Sequence, residues 1–167
     1  MTEHTAVRVI RADYSDRLHA EALVELLDGY ARDPMGGGEP LSEFARLNLV
    51  GALAQRAQAF SILAFDDLAG KAIGLVNCLE GFSTFACKPL VNVHDVVVAS
   101  GYRCRGVASA MLALVEQIGR ERGACKLTLE VLEGNDAAMR VYRRYGFANY
   151  QLASAAGHAQ FLQKYLS

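Results

Sequence analysis

With 167 residues, 52% of them hydrophobic and 21% charged, the chain is long enough for one domain with a substantial core and too apolar to be disordered. A formal net charge of −1 gives no electrostatic footprint for nucleic acid or an anionic membrane surface, and the apolar runs are too short to span a bilayer. Four cysteines with no C-x-x-C spacing, accompanied by four histidines, read as reduced thiols; no metal is expected, and with no basic or apolar leader in residues 1–4 a cytoplasmic location is.

Residues 6–12 alternate apolar and polar and predict a first strand with one wet face. Residues 13–16 offer helix caps, and Leu18, Ala22, Leu23, Leu26, Leu27 and Tyr30 set an apolar stripe on a helix over 16–31. Pro34 and Pro40 bracket three glycines, so residues 33–40 form a loop. Ser42 then caps a second helix running to about residue 59. Strands follow over 60–65 and 72–79, joined by a turn at 66–71; residues 80–85 extend the second, with Gly81 a candidate bulge.

Pro89 marks the entry to a strand over 90–98. That run is apolar on both faces except for Asn92, His94 and Asp95, as a central strand should be. By simple alternation His94 shares a face with Asn92, Val96 and Val98, and Asp95 with Val91, Val93 and Val97. After a turn at 99–106 comes an amphipathic helix over 107–122, then a strand over 126–132. Asn135 opens a last helix, and Gly146 stops it after Arg143 and Arg144. Residues 147–152 and 158–166 read as a closing pair of strands. The order is α/β.

The turn before the third helix carries the strongest chemical signal. A strand runs into Arg103, Cys104, Arg105 and Gly106, and a helix begins at Val107. Helix-initial amides lack partners inside the helix and carry partial positive charge, so a strand, a basic glycine-containing turn and a helix start make an anion site. Gly106 lets the backbone come close to a ligand, and Ala108 and Ser109 are too small to obstruct it. Neither a nucleotide P-loop nor a dinucleotide fingerprint is present.

The pattern R-x-x-G-x-A from Arg103 to Ala108 resembles the acetyl-CoA signature of the GNAT superfamily of N-acetyltransferases. The V-H-D-V-V-V strand before it, the L-T-L-E-V strand after it and N-D-A-A-M-R-V-Y-R-R-Y-G-F beyond strengthen the likeness over residues 90–147. The resemblance implies a single domain over 1–167, with a mixed, twisted central sheet of about seven strands and about four helices on its faces. It implies acetyl-CoA as cosubstrate and a small amine as acceptor. Family members are often dimers, which leaves a homodimer open.

Matched position by position, Arg103, Cys104, Arg105, Gly106, Val107, Ala108 and Ser109 fall where the family's backbone amides hold the CoA diphosphate. Val96, Val97 and Val98 fall where strand backbone pairs with the pantetheine arm. Asn135 matches an asparagine that helps hold the cofactor, and Tyr142 the tyrosine that protonates the departing thiolate. Cys104 departs from the pattern, since glycine is frequent there.

A phenol, with a reference pKa of about 10, is a neutral donor at working pH and suits that role. Periodicity offers another reading, because Ala138, Val141, Tyr142 and Tyr145 also make an ordinary core stripe. His94, where several relatives carry glutamate, is a candidate base, directly or through a water; a buried neutral histidine is the alternative. Glu130 is a further polar interruption that could assist. Asp28, Tyr30, Glu39, Glu80 and Asp95 are candidates for contact with a cationic acceptor, of polyamine-like, amino-acid-like or aminoglycoside-like kind; the other reading is solvated helix ends and turn chemistry for the acidic residues, and for Asp95 a role in fixing a loop or a neighbouring strand. The expected activity is acetyl transfer to a primary amine in a ternary complex. The alternatives are a protein or peptide N-acetyltransferase and a CoA-binding regulator without turnover.

Overall fold

In the computed structural model, residues 7–150, 157 and 159–166 are described. The chain divides into two compact units, Met1–Leu129 and Glu130–Ser167.

The first unit is a five-stranded sheet in the order β1-β2-β3-β4-β5. Its strands are β1 (Val7–Arg11), β2 (Ala59–Asp66), β3 (Lys71–Ser83), β4 (Lys88–Val98) and β5 (Leu127–Leu129). The first four pair antiparallel; β5 lies parallel to β4. The helices α1 (Arg17–Ala31), α2 (Glu43–Ala54) and α3 (Val107–Glu121) complete the unit. Asp16 caps α1 by accepting from the Leu18 and His19 amides, and Ser42 caps α2 through Ala45. The second helix ends five residues before the predicted 59, because residues 55–58 turn the chain into β2.

Two apolar layers hold the sheet. On one face Leu23, Leu63, Leu75 and Val97 form a core with α1. On the other, α3 buries Val107, Met111, Leu112, Val115 and Ile118. Each fully buried aliphatic side chain contributes about 1.5–3 kcal/mol. The Met111 side chain is admitted by Gly74, where a Cβ would stand 2.8 Å from the methionine's terminal methyl.

Two irregularities shape the ladder. Cys78 pairs with Val93 and Asn77 with Asp95, so His94 is an extra residue on β4 with no partner on β3. Opposed residues of an antiparallel pair share a face, and a bulge slips the alternation by one. Asp95 therefore shares Asn77's face and lies opposite to Val93, contrary to the simple alternation read from sequence. Gly81 is not a bulge; it pairs regularly with Leu90. The other irregularity lies at Ala64/Phe65.

β5 is short and pairs only with Val91, Asn92 and Val93. The second half of β4, through Val98, is paired on its β3 side alone among the strands described.

The second unit carries α4 (Asp136–Tyr145). Asn135 caps it through the Ala138 amide, and Gly146, at φ 108°, ends it. Residues 147–150, 157 and 159–166 contain no strand, and the rest of the predicted closing pair lies outside the described residues. The sheet thus has five strands among the described residues rather than about seven; the four α-helices are as expected.

Candidate acetyl-CoA and acceptor site

Between β4 and α3 the chain makes one 3₁₀ turn, Ser100–Tyr102, becomes extended at Arg103, and then enters left-handed backbone at Cys104 (φ 62°) and Gly106 (φ 81°). These two left-handed residues aim the chain directly into the helix. Among the described residues no side chain caps α3, unlike α1, α2 and α4. The first backbone bond within it runs from the Ala110 amide to the Gly106 carbonyl. The amides of Val107, Ala108 and Ser109 precede that bond and face outward along the helix axis, where an anion is stabilised.

Cys104 sits where the matched pattern favours glycine, and its positive φ supplies the physical reason. A non-glycine residue there carries about 1–2 kcal/mol of backbone strain.

The turn is anchored from behind. Asp66, only 6% exposed, accepts the Tyr102 hydroxyl at 2.7 Å and the amides of Leu68 and Ala69 at 3.0 and 3.1 Å. Lys71 and Arg105 lie over the Tyr102 ring at 5.2 and 5.5 Å. The Tyr102 hydrogen bond, chiefly, holds the Asp66 carboxyl below its ordinary value of 3.8. A depressed carboxyl stabilises the fold fully above that ordinary value and loses its contribution as pH falls through the folded one. Asp66→Asn should therefore melt at a lower temperature than wild type at neutral pH and converge on it below pH 3.8; a constant gap would contradict the assignment.

Arg103 donates to the Val98 carbonyl at 3.2 Å and to Asp33 at 3.3 Å, tying the turn before α3 to the 33–40 loop. That loop is a defined turn. Asp33 caps a 3₁₀ helix, Pro34–Gly36, and the Tyr30 hydroxyl donates to the Met35 carbonyl at 3.3 Å. A Cβ on Gly36 would stand 2.0 Å from the Tyr30 carbonyl oxygen, so glycine is required there by space.

A cavity of about 500 Å³ opens between α1, α2, this loop and β3–β4. Leu27, Leu41, Leu49 and Leu53 line it with Tyr30, and Arg56, Asn77, His94 and Asp95 supply its polar groups. The bulge is what lets His94 and Asp95, neighbours in sequence, reach the same space. Of the residues predicted to meet an acceptor, Tyr30 and Asp95 are at the cavity. Asp28 instead pairs with Arg32 at 2.9 Å and accepts the Leu41 amide at 2.9 Å. Glu80 pairs with Arg122 at 2.9 Å. Glu39 is exposed and does not line the cavity.

Sequence reading passed over Ser61, Asn77 and Tyr14. Ser61 and Asn77 are polar breaks in apolar strand runs, and that was the available signal.

Within the second unit, Tyr142 is half-buried on α4, its ring edge-on to Phe147 at 5.9 Å, and its carbonyl accepts the Phe147 amide at 2.9 Å. Asn135 uses its side-chain oxygen to accept the Ala138 amide at the helix cap.

The thiols differ sharply. Burial pushes Cys78 up to about 12, whereas Cys87, Cys104 and Cys125 are exposed. Since the thiolate is the reactive form, iodoacetamide at pH 8 should label those three and spare Cys78 in the native protein. Equal labelling of all four, read by peptide mass, would contradict the packing of β3.

The family model described as the acetyltransferase (GNAT) family matches residues 20–147. Streptothricin acetyltransferase of Streptomyces lavendulae is 37% identical over 87 residues, 50% of this chain and 46% of the relative. The chain spans less than half the length of the curated relatives it matches. A crystal structure of a probable acetyltransferase has a TM-score of 0.79 at 24% identity, covering 96% of this chain and 99% of the other. An aminoglycoside acetyltransferase, meta-AAC0020 from an uncultured soil metagenomic sample, in complex with sisomicin, has a TM-score of 0.73 at 16% identity, covering 95% and 97%.

Proposed function

The chain belongs to the acetyltransferase (GNAT) family, and on that premise we propose that it moves the acetyl group of acetyl-CoA to a primary amine of a small molecule, by direct attack in a ternary complex. The observation that carries the reading is the half-paired β4 leading into an uncapped α3. An extended pantetheine arm can add to the β4 edge at Val96, Val97 and Val98, and a diphosphate can take the helix-initial amides. Arg103 and Arg105 add positive charge at that end. The activated thioester supplies the acetyl group; the residues of this chain bind, orient and move protons.

Asp95 and Tyr30 receive the acceptor in the cavity. His94 takes a proton from the acceptor ammonium, directly or through water, so that a neutral nitrogen attacks. A C–N bond forms as the C–S bond breaks, the Tyr142 hydroxyl gives its proton to the leaving sulfur, and the surplus proton on the new amide nitrogen passes through solvent to restore the phenol. Asn135 is assigned to the cofactor. The reading requires residues 1–167 to act as one catalytic domain. The small-molecule acceptor is supported by the partial likeness to streptothricin acetyltransferase.

Mixing the protein with acetyl-CoA and a panel of amines, and following release of the CoA thiol, tests the proposal. Amine-dependent release with a matching acetylated product supports it. Binding of acetyl-CoA without turnover on any amine would favour a regulatory CoA-binding protein instead.

A further inference from the structure

A row of polar groups crosses the α1-side face of the sheet. Tyr14, in the β1–α1 connection, shares a hydrogen bond with the Ser61 hydroxyl at 2.8 Å. Ser61 donates to Asn77 Oδ1 at 2.6 Å, and Asn77 Nδ2 donates to Asp95 Oδ2 at 3.0 Å. Ser61 and Asn77 are direct ladder partners, as are Asn77 and Asp95. Ser61 is 1% and Asn77 7% exposed, so these are buried polar groups that cost stability unless fully paired.

The chemistry of the groups fixes the direction of the row. A carboxylate can only accept, so Asn77 must turn its amide nitrogen to Asp95 and its oxygen to Ser61. Ser61 therefore spends its hydrogen on Asn77, and its oxygen accepts from Tyr14. Burial also pushes the Tyr14 phenol above its ordinary value, which keeps the donor proton in place. Every bond points the same way and ends at the one carboxylate that lines the cavity. Leu27, Leu41, Leu49, Leu53 and Leu79 supply the apolar part of the cavity around that carboxylate, beside Tyr30, Arg56 and His94.

Resting on the acetyl-transfer reading above, we propose that Tyr14, Ser61 and Asn77 are positioning residues that hold the Asp95 carboxylate as the docking point for the ammonium of an aliphatic primary amine. Asp95 immediately precedes Val96, Val97 and Val98, so a nitrogen docked there sits at the start of the strand edge assigned to the thioester arm. The leucine walls take an alkyl body. The bond to Asn77 occupies one carboxylate oxygen and leaves the other for the ammonium.

The test uses n-alkylamines from butylamine to octylamine with acetyl-CoA, followed by thiol release. In wild type the amine KM should fall with chain length, by up to about fourfold per added methylene, the equivalent of about 0.8 kcal/mol. Tyr14→Phe removes one hydroxyl outside the cavity, and Ser61→Ala and Asn77→Leu break the next two bonds. Each should raise the amine KM about tenfold or more while the acetyl-CoA KM stays within twofold. In an Asp95→Ala background the same substitutions should add less than twofold, because the group they position is gone.

Equal penalties in both backgrounds, or parallel rises in both KM values, would make the row structural only and overturn the proposal. Acetyl-CoA binding with turnover on other amines but on no alkylamine would overturn it and leave the transfer reading standing. Absence of acetyl-CoA binding would remove both. Tyr14→Phe, the mildest change, decides the matter if the buried substitutions do not fold.

Discussion

Tyr142→Phe should lower turnover by about 10²–10⁴-fold, the range for loss of a general acid, with acetyl-CoA affinity retained. The variant isolates one hydroxyl. It keeps the aromatic ring and with it the edge contact to Phe147, and the backbone closure of α4 does not involve the phenol. Without the proton donor, the amine must expel a free thiolate, and the barrier to C–S cleavage rises. Rapid-quench measurement of acetylated amine, beside calorimetric titration with acetyl-CoA, separates chemistry from binding. Unchanged turnover would remove Tyr142 from the mechanism; a parallel loss of affinity would assign it to the cofactor instead.

Ala108→Asp should act in opposite directions on fold and ligand. An aspartate in the first turn of α3 meets the positive end of the helix dipole and should stabilise the ligand-free protein by about 0.3–1 kcal/mol. The same carboxylate would stand against the CoA diphosphate. Two like charges about 4 Å apart at an effective dielectric of about 20 repel by about 4 kcal/mol, which corresponds to about a thousandfold loss of acetyl-CoA affinity. Ala108→Asn, of equal size and no charge, should lose far less. A raised melting temperature together with lost binding is the expected signature; undiminished binding would move the diphosphate away from α3.

Much of this architecture is legible in local chemistry. Ser42, Asn135 and Gly146 announce helix ends by residue type, and the structure puts caps at those residues. The turn before α3 is legible for the same reason, since Gly106 takes left-handed backbone at φ 81° there. What sequence misses is set by pairing across strands. His94 reads as one more alternating residue because nothing in V-H-D-V reveals that β3 offers it no partner. Ser61 and Asn77 lie 16 residues apart and become a pair only when two strands are laid in register. Conversely, Asp28 and Glu80 look available for a cationic ligand until Arg32 and Arg122 are seen beside them. Strand β5 is shorter than its apolar run suggests, because composition reports burial and not which neighbour completes the ladder.

The position of β1 has a bearing on how the chain assembles. Its ladder with β2 joins Val7 to Asp66, whereas β2, β3 and β4 follow one another through short turns. Closing the longer loop costs more chain entropy and brings no contacts until it is complete. We expect the β2–β4 meander to organise early and the edge strand to dock late, so that amides of Leu75 and Val76 gain exchange protection before that of Val9. A ribosome would release β1, α1 and α2 well before the surface they pack on exists, which leaves Leu23 and its neighbours exposed during synthesis.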